Sequence, residues 1–124
     1  MQLLEIGLGG FFGAIARYLV DGFVSERTSA SAFPFGTLVI NLSGAFVLGL
    51  LATLAIERSV LPAGIRGPVM IGFLGAYTTF STWTLESLRL LEAGSWGLAI
   101  ANLAGSAVLG ILAVVAGVAL GRAV

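Results

Sequence analysis

Between positions 35 and 56 the chain carries not one charged side chain. As an α-helix at 1.5 Å per residue, such a run crosses the roughly 30 Å hydrocarbon layer of a bilayer. That one stretch makes a water-soluble domain difficult to build, and the rest of the chain removes the option. Charged residues are 10% of the total and the mean hydropathy is +1.08, whereas soluble domains carry roughly 25% charged residues. A surface with so little charge needs lipid as its solvent.

Three further runs have the length and apolar content of a span, so residues 3–20, 35–56, 67–91 and 95–120 are expected to be transmembrane helices of one all-α domain covering 1–124. The start of the chain lacks the positively charged region of a secretory signal, so residues 3–20 read as the first span. The polar connection 21–34 holds Glu26 and Arg27, and the connection 57–66 holds the breakers Pro62 and Gly64. Only Glu92-Ala93-Gly94 separates the last two spans, which makes them antiparallel neighbours. The expected location is the inner (plasma) membrane, as a multi-pass protein.

Cysteine and histidine are both absent, which removes thiolate chemistry, the commonest general base and the commonest metal ligand. With no nucleophile–base constellation left, the chain is expected not to be an enzyme. Zero net charge gives no reason to expect nucleic acid as a partner. Orientation is balanced. With four spans Arg58, Arg66 and Arg122 share one side, while Arg17, Arg27 and Arg89 share the other, and there is no Lys. The positive-inside rule then gives no preferred direction, and either orientation, or an antiparallel pair, is compatible with the count.

Small residues recur at helix-packing spacing: Gly9 and Gly13 in the first span, and Asn102, Ser106, Gly110, Ala113, Gly117 and Gly121 in the last. Such stripes let backbones approach closely in lipid, most simply within one subunit. Polar side chains at membrane depth face a bundle interior or a water-filled path. Thr37, Asn41 and Gly44 share one helical face, as do Asn102 and Ser106. The third span carries the densest group, Gly75-Ala76-Tyr77-Thr78-Thr79-Phe80-Ser81-Thr82-Trp83. Gly72, Gly75 and the β-branched Thr78 and Thr79 weaken the helix near its middle, and irregular backbone at that depth must be buried or line a cavity. Phe80 and Trp83, three residues apart, place two rings on nearly one face, and the positive edge of an aromatic ring can solvate a small anion.

This nine-residue run resembles the third-helix signature of the Fluc (CrcB-type) fluoride channels. Gly10-x-x-Gly13-x-x-x-Arg17-Tyr18 and Gly36-Thr37-Leu38-x-x-Asn41-x-x-Gly44 match the first- and second-helix motifs, and Asn102-x-x-x-Ser106 fits the fourth. The resemblance implies a fluoride-selective channel that exports the ion passively and lowers its cytoplasmic concentration. It also implies an antiparallel, dual-topology homodimer with two pores and a third helix broken near the midplane. Asn41, Thr79, Phe80, Trp83 and Asn102 would line the fluoride pore, and Thr37, Thr82, Glu86 and Ser106 would form a polar track beyond it. Arg17 would stand at a vestibule or the dimer contact. Backbone carbonyls of Gly75 and Thr78 from both subunits would hold a central structural Na⁺. Two positions depart from the family: Trp83 stands where Phe is usual, and Asn102 where some members carry Tyr. The alternative from another class is a small proton-coupled multidrug exporter, which needs a membrane-embedded carboxylate. Glu86 is the nearest candidate.

Overall fold

The computed structural model describes residues 1–124, and every regular element in it is helical. Helix α1 spans Gln2–Arg27, running past the expected end of the first span. Nothing after Val20 breaks it: Asp21 accepts a bond from Ser25 one turn on, and Arg27 donates back to the Phe23 carbonyl. Helix α2 covers Phe35–Ala52 and continues through a wider π turn, Thr53–Glu57. A 3₁₀ turn, Ala63–Ile65, leads into a π-wound segment, Arg66–Phe73, and the short helix α3, Leu74–Tyr77. After residues 78–80 the chain resumes as α4, Ser81–Glu92. Helix α5, Trp96–Ile100, passes through a π turn at Ala101–Gly105 into α6, Ser106–Ala123.

Three continuous helical stretches are long and apolar enough to cross a membrane: Gln2–Arg27, Phe35–Glu57 and Trp96–Ala123. The segment between the second and third is interrupted near its midpoint, as expected, but not at the glycines. Gly72 stays helical, and its missing Cβ lets the backbone meet the Ile6 carbonyl of α1. The interruption falls at Thr78, whose ψ of 158° is extended. Its cause lies in the next helix over, because the Thr79 N–H donates to Asn41 Oδ1 instead of continuing the ladder.

Two close crossings hold the bundle. Helix α1 lies on the Arg66–Phe73 segment, where side chains at Gly9 and Gly13 would strike the Pro68 and Phe73 carbonyls. Helix α2 lies on α6, where Gly49 faces the Val114 carbonyl and Gly117 the Phe46 carbonyl. The first-span pair and Gly117 and Gly121 of the last-span stripe therefore pack within the subunit, while Gly110 and Gly75 face open space.

The interior is unusual in its chemistry. Beside Ile40, Ala55, Leu74, Leu90 and Ala99 it buries Thr37, Thr53, Thr79, Ser87 and Asn102. Leu3, Phe11, Phe12, Ile111 and Val115 lie outside. Polar inside and apolar outside is the arrangement lipid demands, and no buried side-chain polar atom lacks a partner. At one end of the bundle Arg122 pairs with Glu57 at 2.9 Å, Arg58 donates to the Gly121 and Arg122 carbonyls, and Arg66 donates to the Ala55 carbonyl.

Candidate ion pathway at the helix break

Asn41 sits on α2 opposite the break and pairs with it as two amides pair. Its Nδ2 donates to the Thr79 carbonyl at 3.0 Å, and its Oδ1 accepts from the Thr79 N–H at 2.8 Å. The two bonds fix which end of the amide is nitrogen, and they leave the second Nδ2 proton free. The neighbouring face residues complete the contact: Gly44 makes room for Thr78 and Tyr77, and Thr37 donates to Glu86 Oε1 at 2.5 Å. The Thr37–Asn41–Gly44 face thus meets the interrupted segment from Tyr77 to Glu86. Tyr77 is held as well, by the Ser43 hydroxyl at 2.9 Å and by stacking on Phe73.

The break leaves backbone groups without partners. The carbonyls of Gly75, Ala76, Tyr77 and Thr78 receive no donor from the chain, and the amides of Phe80, Ser81 and Trp83 find no acceptor. Only the Thr82 N–H is satisfied, by the Thr79 hydroxyl at 3.2 Å, which serves as a cap for α4. The negative end of one helix and the positive end of the next therefore lie within a few residues of each other.

A cavity of about 480 Å³ opens beside this point, between α2, the break, α4 and α6. Asn41, Gly75, Thr78, Thr79, Phe80, Trp83 and Ser106 line it, among apolar neighbours such as Leu74 and Val114. The Phe80 and Trp83 rings meet edge-on, 5.5 Å between centroids. A second cavity of about 350 Å³ lies at the start of α2, before Asn41, and is lined by Asp21, Ser25, Thr28, Gly36, Glu86 and Arg89. The Asn41–Thr79 and Thr37–Glu86 pairs are successive rungs between the two cavities.

The structure therefore gathers seven of the expected site residues at one cavity, and Thr37 and Glu86 at the approach to it. Thr82 is exposed on α4, one turn before Glu86. Two residues stand apart. Arg17 is half-buried on α1, its side chain makes no hydrogen bond or ion pair within the subunit, and it lines neither polar cavity. Asn102 lines neither cavity and is fully buried: its Nδ2 donates to Ser87 Oγ at 2.8 Å, and its Oδ1 accepts from Ser106 Oγ at 3.1 Å. Sequence reading passed over Ser87 and Asp21. For Ser87 a partial signal existed, since Ser87 and Asn102 are equally distant from the tight turn at Gly94-Ser95 and so lie at similar depth on antiparallel neighbours, although which way each faces is set by helix rotation.

Residues 4–118 match the model of the family described as CrcB-like protein, Camphor Resistance (CrcB). A protein of Magnetococcus marinus described as fluoride-specific ion channel FluC is 44% identical to this chain, covering 98% of each. Proteins of the same description from Maridesulfovibrio salexigens and Koribacter versatilis are each 42% identical. They cover 98% and 99% of this chain, and 95% and 97% of their own lengths.

Proposed function

The chain belongs to the CrcB-like family, and from that membership we propose that it is a fluoride-selective channel letting the ion leave passively across the membrane. The observation that carries the reading is the broken third span, pinned by Asn41 beside a cavity that holds Phe80 and Trp83. Fluoride is small and strongly hydrated, so a path must replace its water with donors. Here the donors are neutral: the free Nδ2 proton of Asn41, the ring edges of Phe80 and Trp83, and the unpaired amides at the start of α4, where the helix dipole favours an anion. A full positive charge would hold the ion rather than pass it, and no Arg lines this cavity. Beyond the rings the route continues past Thr82 and Ser106 towards Thr37 and Glu86, whose carboxylate, hydrogen-bonded to Thr37, stands at the approach to the second cavity.

In this reading four spans cross the membrane, the third as two half-helices joined at residues 78–80. The working unit is an antiparallel homodimer with two pores. Phe80 supports the dimer: it is 73% exposed in the single subunit, near the middle of the broken span, on the open side of the cavity. A second subunit would close that side, and the balanced arginines permit both orientations. The unpaired carbonyls of Gly75 and Thr78 suit a hard cation that takes oxygen ligands. A Na⁺ held there would supply positive charge to offset an anion at membrane depth and would join the two broken spans. The exporter alternative loses its ground, because family membership points to a channel and Glu86 is already engaged by Thr37.

The test is efflux from liposomes containing the purified protein, read with a fluoride electrode. Fluoride should leave rapidly and chloride at least about a hundredfold more slowly, a discrimination of about 2.7 kcal/mol. Equal rates for the two ions overturn the reading. Replacing Na⁺ by a large organic cation on both sides should lower the flux, and an unchanged flux removes the Na⁺ from the proposal.

A further inference from the structure

Trp83 brings to the cavity a group that phenylalanine lacks, the indole N–H, and on chemical grounds that proton is a candidate donor to an anion. The structure commits it elsewhere. Nε1 donates to the backbone carbonyl of Asn102 at 3.0 Å. That carbonyl already accepts the Ser106 N–H of its own helix, so the indole takes its second lone pair. The site of attachment is the π turn Ala101–Gly105, where the helical ladder is loosened.

The same residue reaches Trp83 a second way. The Asn102 amide donates to Ser87 Oγ, and Ser87 in turn donates to the Trp83 carbonyl at 2.8 Å. Trp83 is thus held at its ring and at its backbone by one partner, through a loop that closes on itself. Asn102 and Ser87 are 0% and 2% exposed, so water does not compete for these bonds. An interhelical loop of this kind in lipid is a rigid brace.

We propose that Asn102 and Ser87 are positioning residues for the ion path, holding Trp83 so that it offers fluoride a ring edge while its N–H stays bound to the Asn102 carbonyl. The inference rests on the channel reading for what the ring does, and on the hydrogen-bond loop alone for how the ring is held. Asn102 acts through Trp83 and Ser106 and does not itself touch the ion.

The experiment uses the full chain in liposomes with Trp96→Phe. This leaves Trp83 as the one tryptophan of the two in the chain, and Trp96 lies outside the cavity. Ultraviolet resonance Raman reads the indole N–H band. A hydrogen-bonded indole is expected, with a band that stays put as fluoride is raised from zero to a concentration that saturates the flux. A free-indole band, or one that moves with fluoride, overturns the proposal. In the same background Ser87→Ala should shift that band and lower fluoride flux about tenfold, the rate equivalent of one modest hydrogen bond. Ser87→Thr, which keeps the hydroxyl, should restore both. An unchanged band and flux in Ser87→Ala also overturn the proposal. If the Trp96→Phe parent passes no fluoride while the wild-type chain fails likewise, the channel reading has failed, and the Raman arm still decides how Trp83 is held.

Discussion

Asn41 spends its oxygen and one of its two amide protons on Thr79, and that expenditure both makes the break and aims what is left over. Asn41→Ala would leave the Thr79 N–H and carbonyl without partners next to the cavity, a cost of about 1–3 kcal/mol. It should lower the melting temperature in detergent and abolish most fluoride flux. Asn41→Asp separates the two roles. The carboxylate still accepts the Thr79 N–H but loses both donors and adds a negative charge, so fluoride efflux should fall at least about a hundredfold while the protein remains folded. Phe80→Ile makes the complementary case. The ring is mostly exposed in the subunit, so replacing it should spare folding and still cut fluoride efflux sharply, because an aliphatic group has no positive edge. Asn41 was legible as an amide at membrane depth. That its partner would be backbone was not, because composition and spacing say nothing about a rotamer.

Among the elements, the crossing of α2 on α6 depends on backbone meeting backbone. A side chain at Gly117 would enter the Phe46 carbonyl, so Gly117→Val should push the helices apart and prevent recovery of folded protein, beyond the 1–3 kcal/mol typical of overpacking. Gly110 lies two turns earlier in the same stripe and has open space where a Cβ would stand. Gly110→Ala should therefore melt within about 0.5 kcal/mol of the parent. Size-exclusion recovery and thermal unfolding in detergent distinguish the two. From spacing alone these glycines were equivalent. Their difference arises from helix rotation, which is decided by everything packed around α6 at once. The break itself followed a similar rule: Gly72 and Gly75 are the weaker helix formers, but the chain parts at Thr78 and Thr79, where Asn41 offers the backbone another partner.

For the whole molecule the proposed assembly turns on charge at the two ends. Glu5→Lys with Gly64→Lys adds positive charge to the end that holds Arg58, Arg66 and Arg122, and Glu26→Lys with Ala30→Lys adds it to the other; all four positions are exposed. Each pair should force a single orientation. Expressed separately, the two variants should give little fluoride efflux, and together they should recover it. Full activity of either variant alone would exclude an antiparallel pair as the working unit.

Lipid as the solvent and helices as the only regular structure were determined by the order of residues, because each answers a local demand. Charge must be scarce at membrane depth and backbone groups must be paired. The weak helix formers between 72 and 79 were legible as well, but the point where the chain parts was set by Asn41 on the neighbouring helix. Tertiary structure decided the assignments that depend on direction. It turned Asn102 away from the cavity into the interior, bound the Trp83 indole to a carbonyl, joined Asn41 to Thr79 and kept Arg17 apart from both polar cavities. Hydrogen bonds are short and directional, so their partners are chosen only when helix rotation and register are set together, and no spacing along one helix contains that information.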